Sequence, residues 1–106
     1  MKIQFDTNQY LKEIAKSDSY FHTFINKENL AAGILRLEPG EEDTQAPHGS
    51  DEIYYVIRGD GFLNIDGKDY SVSEEMSYYV AKNIQHKFHG NKKELVVLYF
   101  FGGPDS

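Results

Sequence analysis

From Tyr20 onward, short runs of β-branched and aromatic residues are broken at close intervals by Gly, Pro, Asp and Asn. That cadence restricts the chain to an all-β fold. The runs are "YFHTFIN" (20–26), "LAAGILRLE" (30–38), "EIYYVIRG" (52–59), "GFLNI" and "KDYSV" around Asp66-Gly67, then "MSYYVA", "IQHKFHG" and "ELVVLYFFG". Asp-Gly accepts the positive φ angles of a type I′ hairpin turn, so it joins its two flanking runs as neighbours. Roughly eight or nine strands at this spacing fit a sandwich or barrel. Ahead of them, "NQYLKEIAK" places Leu11, Ile14 and Ala15 on one face of a short helix, with Thr7 as its expected cap. In 106 residues there is no repeat and no linker, so the expectation is one domain over 1–106.

Two runs are apolar on both faces. In "EIYYVIRG", Glu52, Tyr54 and Val56 point one way and Ile53, Tyr55 and Ile57 the other, and "LVVLYFF" is similar. A strand with one wet face alternates with polar residues. These two require cover on the second face from another sheet, the helix or another subunit. Ile53, Tyr55 and Ile57, with one face of "LVVLYFF", would lie open in an isolated barrel, so a homodimer through that face is the expected assembly.

The absence of cysteine removes disulfides, thiolate nucleophiles and iron–sulfur clusters from consideration. A net charge of −6, from 11 basic and 17 acidic residues, argues against nucleic acid as a partner. No run approaches the roughly 20 apolar residues of a membrane span, and "MKIQFDTNQY" lacks a signal peptide's apolar core. The expectation is a cytoplasmic protein without membrane contact.

Four histidines stand out: His22, His48, His86 and His89. His22 and His89 fit surface or hydrogen-bonded roles. His48, four residues ahead of Glu52, is expected at a strand end, where paired strands converge on a barrel mouth. His86 shares a strand face with Ile84 and Phe88, and a buried imidazole needs a partner. Two imidazoles and one carboxylate suit Fe, Mn, Zn, Ni or Cu and leave coordination positions for substrate. By spacing alone, a metal site and a polar turn are equally compatible with these residues.

The run from Gly40 to Gly59 resembles the first motif of the cupin superfamily: Gly, five residues, His-x-His, three or four residues, Glu, six residues, Gly. Gly40, His48, Glu52 and Gly59 match in register, while Ala46 stands where the family's first histidine belongs. "VSEEMSYYVAKNIQHKFHGN" resembles the second motif more loosely: His86 is present, the Pro-x-Gly is replaced, and Asn91 falls one residue late. "EDTQAPHGSDEIYYVIRGDG" is similar to a group of small single-domain cupins carrying Gln-x-Pro-His. The resemblance covers residues 38 to 101. It implies a cupin-type double-stranded β-helix, a jelly-roll barrel, with the helix outside. It carries metal-ligand roles to His48, Glu52 and His86, for one divalent ion with a small-molecule ligand beside it in the barrel.

Ala46 cannot coordinate, so water or the Gln45 amide oxygen takes that place; strand alternation would turn Gln45 away unless a bulge intervenes. Tyr54, on the face of Glu52, is the expected proton donor or supporting partner, ahead of Tyr78. Three functions stay open: a metal-dependent dioxygenase, isomerase or lyase acting on a small organic substrate, a metal- or ligand-binding protein without turnover, and a metal-free structural dimer.

Overall fold

A computed structural model describes residues 2–105. The elements are one helix, α1 (Thr7–Ala15), and eight strands: β1 (Phe21–Asn26), β2 (Ala31–Leu37), β3 (Glu52–Arg58), β4 (Phe62–Ile65), β5 (Lys68–Ser71), β6 (Ser77–Val80), β7 (His86–His89) and β8 (Leu95–Phe101). They form two antiparallel sheets, ordered β1-β2-β8-β3-β6 and β5-β4-β7.

Alternation along the strands fills the space between the sheets. Leu35 and Leu37 of β2, Tyr54 and Val56 of β3, Leu63 of β4, Phe88 of β7 and four residues of β8 (Leu95, Val97, Tyr99 and Phe101) form one buried cluster. Gly33 lies opposite Tyr99 in the β2–β8 pairing. A Cβ at Gly33 would collide with the Tyr99 ring and lie 2.5 Å from the His22 carbonyl oxygen. Glycine is therefore the residue that lets this tyrosine cross the barrel wall. At the β4–β5 turn, Asp66 and Gly67 have φ of 51° and 86°, the pair of positive angles that their sequence anticipates.

The outer face of the five-stranded sheet is covered unevenly. Helix α1 packs Tyr10, Leu11 and Ile14 onto Ile34 and Val96, with Ile57 and Leu98 half-buried at the margin. Ile57, expected to lie open, thus belongs to the helix contact. Ile53, Tyr55, Tyr79 and Phe100 stay exposed, and Tyr79, Ile53 and Phe100 sit side by side across three strands. The helix cap also differs from expectation. Asp6 adopts the extended N-cap conformation and accepts a hydrogen bond from the Gln9 N–H at 3.2 Å, which makes Thr7 the first helical residue.

Residues 41–48 contain no regular secondary structure, so His48, expected at a strand end, stands on an irregular segment instead. They cross one end of the barrel, and this segment positions half of the site described next.

Candidate metal centre

Glu52 opens β3 and His86 opens β7, one in each sheet, at the same end of the barrel. Both side chains are almost wholly buried, at 2% and 1% exposure. The Nδ1 of His86 lies 2.8 Å from the Ile84 carbonyl, which can only accept, so Nδ1 carries the ring proton and donates. That tautomer leaves the Nε2 lone pair facing inward, 3.2 Å from Glu52 Oε1. The two atoms are close but misaligned, and neither makes a hydrogen bond with any described group. An imidazole lone pair and a carboxylate oxygen, buried and turned to a common point, require a cation or a proton between them. Burial disfavours the charged imidazole. The Glu52 carboxylate and the Ile84 carbonyl outweigh it, and hold the His86 pKa above its ordinary 6.5.

His48 enters from the irregular segment. Its carbonyl accepts a 2.7 Å hydrogen bond from the Asn83 N–H, in the turn that leads into β7. Its ring packs 4.6 Å from Phe101 and 5.5 Å from His86, centroid to centroid. One ligand atom from each of His48, Glu52 and His86 falls within 4.8 Å of the other two. Donor atoms about 2.0–2.2 Å from a shared ion lie at most about 4.4 Å apart, so a small side-chain adjustment brings the three onto one ion. The donor set therefore fits a divalent metal.

Gln45 does not turn away. Its Oε1 accepts two hydrogen bonds, from His48 Nε2–H and from the Tyr54 hydroxyl, each at 3.1 Å. Without a strand ladder the alternation argument does not apply, and Ala46 instead lies exposed on the cavity wall. Tyr54 is fully buried. Burial, followed by the carboxylates of Glu52 and Asp43, pushes its pKa well above 10, so the hydroxyl keeps its proton as a donor. Tyr78 is placed differently: its hydroxyl donates to the Ser71 carbonyl and accepts from the Ser73 N–H, outside the site. His22 packs against the Tyr10 ring and His89 pairs with Asp69 at 2.8 Å; neither joins the cluster. Asn91, out of register with the family motif, is buried and bonds the carbonyls of Leu37 and Lys93.

Above these groups opens a cavity of about 370 Å³, lined by Tyr20, Phe21, Leu35, Tyr99 and Phe101 with Gln45, His48, Glu52 and Asp105. Its volume is that of a small-molecule pocket. No Lys or Arg lines it. Asp105 is held on this wall by the Thr23 hydroxyl at 2.5 Å and stands 4.0 Å from His48 Nδ1. Neither Asp105 nor Asp43 carries a sequence signal, since both lie among polar residues outside the strand runs.

Comparison with known proteins agrees with this geometry. A cupin domain family model matches residues 33–102. The uncharacterised protein SCO3923 of Streptomyces coelicolor is 32% identical over 94 residues, covering 89% of this chain and 90% of the relative. Among solved structures, an RmlC-like cupin with a double-stranded β-helix fold from Methanocaldococcus jannaschii superposes with a TM-score of 0.73 at 17% identity, covering 82% of this chain and 84% of that one. KdgF from Halomonas sp. gives 0.65 at 20% identity over 80% and 79%. The DMSP lyase DddQ from Ruegeria pomeroyi gives 0.71 at 16% identity, over 78% of this chain and 46% of the lyase. With a family model matching residues 33–102, the chain belongs to the cupin domain family.

Proposed function

We propose that the protein is a metal-dependent enzyme of the dioxygenase, isomerase or lyase class acting on a small organic molecule, with one divalent ion held by His48, Glu52, His86 and Gln45. The observation that carries this reading is the buried pair Glu52 Oε1 and His86 Nε2, 3.2 Å apart and without hydrogen bonds, with Glu52 on the cavity wall. A bound metal would supply Lewis acidity or access to oxygen at that point. The chain's own groups do the rest. Aromatic walls exclude water and orient an apolar or aromatic substrate body. Tyr54 holds a proton within reach of the Gln45 oxygen and the substrate side of the site. A relative such as the DMSP lyase shows that this fold hosts elimination chemistry, although fold alone does not transmit an activity.

Metal analysis of protein purified without a histidine tag tests the reading. About one Fe, Mn, Zn, Ni or Cu per chain supports it, and a metal-free protein that takes up none of these overturns it. A second reading, a binding protein without turnover, is favoured by Ala46 in place of the family's first histidine. Oxygen uptake and product screens with small aromatic or organic substrates separate the two.

The exposed row Tyr79, Ile53 and Phe100 supports a homodimer as the assembly. An exposed apolar row of this kind can meet its own copy across a two-fold axis, and only one such patch per chain is needed. Sedimentation at micromolar concentration is expected to give a dimer, and Ile53→Lys a monomer. A monomeric wild type contradicts the assembly.

A further inference from the structure

Asp43 is a buried carboxylate, 4% exposed, with every acceptor position engaged. Its Oδ1 accepts the Tyr20 hydroxyl at 2.8 Å and the Gln45 backbone N–H at 3.2 Å. Its Oδ2 accepts the Gln45 side-chain Nε2 at 2.7 Å and the Phe88 N–H at 2.9 Å. β7 is an edge strand, so the Phe88 N–H, two residues beyond His86, would otherwise need another partner. Asp43 fills that role and pins the irregular segment to the strand that carries His86.

The same carboxylate decides which end of the Gln45 amide faces the site. An ionised carboxylate only accepts hydrogen bonds, so the amide atom against it must be the NH₂. The carbonyl oxygen is thereby committed to the opposite side, where it accepts a 3.1 Å hydrogen bond from His48 Nε2–H. A metal that displaces that proton would meet nitrogen and oxygen at about the 3 Å that separates donor atoms on adjacent positions of one ion, each about 2.1 Å from it. The 3.2 Å between Glu52 Oε1 and His86 Nε2 is a like separation, there without a hydrogen bond.

We infer that Asp43 is a positioning residue of the metal site: it locks the Gln45 amide so that its oxygen, not its NH₂, serves as the fourth protein ligand in place of the histidine missing at position 46. This rests on the proposed metal reading. The set becomes two imidazole nitrogens, one carboxylate oxygen and one amide oxygen. A partner that orients a ligand is typically worth about 10–100-fold in metal affinity.

The test is a double-mutant cycle read by calorimetric titration of metal-free protein with Mn²⁺ and with Zn²⁺. In Asp43→Asn, one orientation of the new amide sets its NH₂ against Phe88 N–H and Gln45 Nε2 and frees the Gln45 amide, and the other keeps an oxygen there but sets the NH₂ against the Gln45 backbone N–H, so the lock is weakened in both. Asp43→Asn and Gln45→Leu should each weaken binding about 10–100-fold, and the double variant should be no weaker than Gln45→Leu alone. Equal affinity of Asp43→Asn and wild type overturns the inference, and so does an additive loss in the double variant, since a merely structural Asp43 would act independently of Gln45. Should Asp43→Asn fail to fold, the Gln45 side-chain NH₂ protons of the zinc-loaded wild type decide, identified by their loss in Gln45→Leu. Exchange with solvent slower than for exposed side-chain amides supports the lock, and exchange as fast overturns it. A wild type that binds neither ion overturns the function proposal as well; a wild type that binds normally beside an unaffected Asp43→Asn removes this inference alone.

Discussion

The two halves of the candidate site are held by different means. Glu52 and His86 stand at the first positions of β3 and β7, where cross-strand partners fix the backbone: Val80 and Phe101 for Glu52, Ile65 for His86. Gln45 and His48 stand on a segment with no ladder, held by the Asp43 carboxylate and by the Asn83 N–H. A ladder-held side chain is aimed by the pleat and costs nothing extra to orient. A segment-held one depends on a few specific hydrogen bonds, each worth about 0.5–1.5 kcal/mol. The first half should therefore be coupled to the stability of the barrel, and the second to metal affinity with little effect on the fold.

His86→Ala gives the largest expected effect. It removes a ligand and leaves the Glu52 carboxylate buried alone, a loss of about 3–5 kcal/mol in the metal-free protein. Its metal affinity should fall by more than the roughly 100-fold upper range for a supporting partner. Denaturant unfolding and titration calorimetry measure the two. His48→Ala should lose a comparable affinity, yet cost only about 1 kcal/mol or less in metal-free stability, because its side chain is at the cavity wall and 16% exposed. Equal destabilisation by the two alanines would break the comparison.

Asn83→Val probes the segment-held half from outside it. Asn83 has φ of 64°, a conformation that a β-branched residue adopts at a cost of about 1–2 kcal/mol. Its N–H is the tie to the His48 carbonyl. The expectation is a several-fold weaker metal affinity together with a stability loss no larger than this strain of about 1–2 kcal/mol, measured by titration and melting of the same sample.

The smallest effect belongs to a cluster remote from both halves. Arg36 and Arg58 both lie opposite Val96 of β8, and both donate to Glu94, Arg58 through Nε at 2.9 Å. Burial opposes ionisation of Glu94, but the two guanidiniums outweigh it and hold its pKa below the ordinary 4.5. With the folded value below the unfolded one, this contribution is fully present above about pH 4.5 and is lost as pH falls through the folded pKa. Glu94→Gln should remove about 1 kcal/mol or less near neutrality and flatten the acid side of the stability profile. Metal affinity at pH 7 should not change. A changed affinity would mean that the site is coupled to the whole sheet, and the two-halves distinction would fail.

The same division explains what could be read from the residues. Strand runs, the Asp66-Gly67 turn and the outward helix follow from local alternation and turn chemistry, and the fold matches them closely. Glu52, Tyr54, His86 and Phe88 could be assigned to the interior because a two-residue period survives wherever a ladder exists. Gln45 could not be placed, since that period has no meaning in residues 41–48. Ile57 was assigned to an open face because alternation tells the face but not what covers it.

The sequence by itself determined an all-β barrel of short strands and an interior carboxylate and imidazole at cupin spacing. Tertiary structure alone decided that Asp43, within a stretch with the composition of a turn, is buried beneath four donors. It alone turned the Gln45 oxygen toward His48, brought Asp105 to the cavity wall, and set α1 over only part of the outer sheet. The physical reason is range. Alternation, capping and turn preference act between residues a few positions apart, whereas Asp43 meets the Phe88 N–H across 45 positions. No local pattern in the chain encodes a contact of that separation; it exists only once both sheets have closed around it.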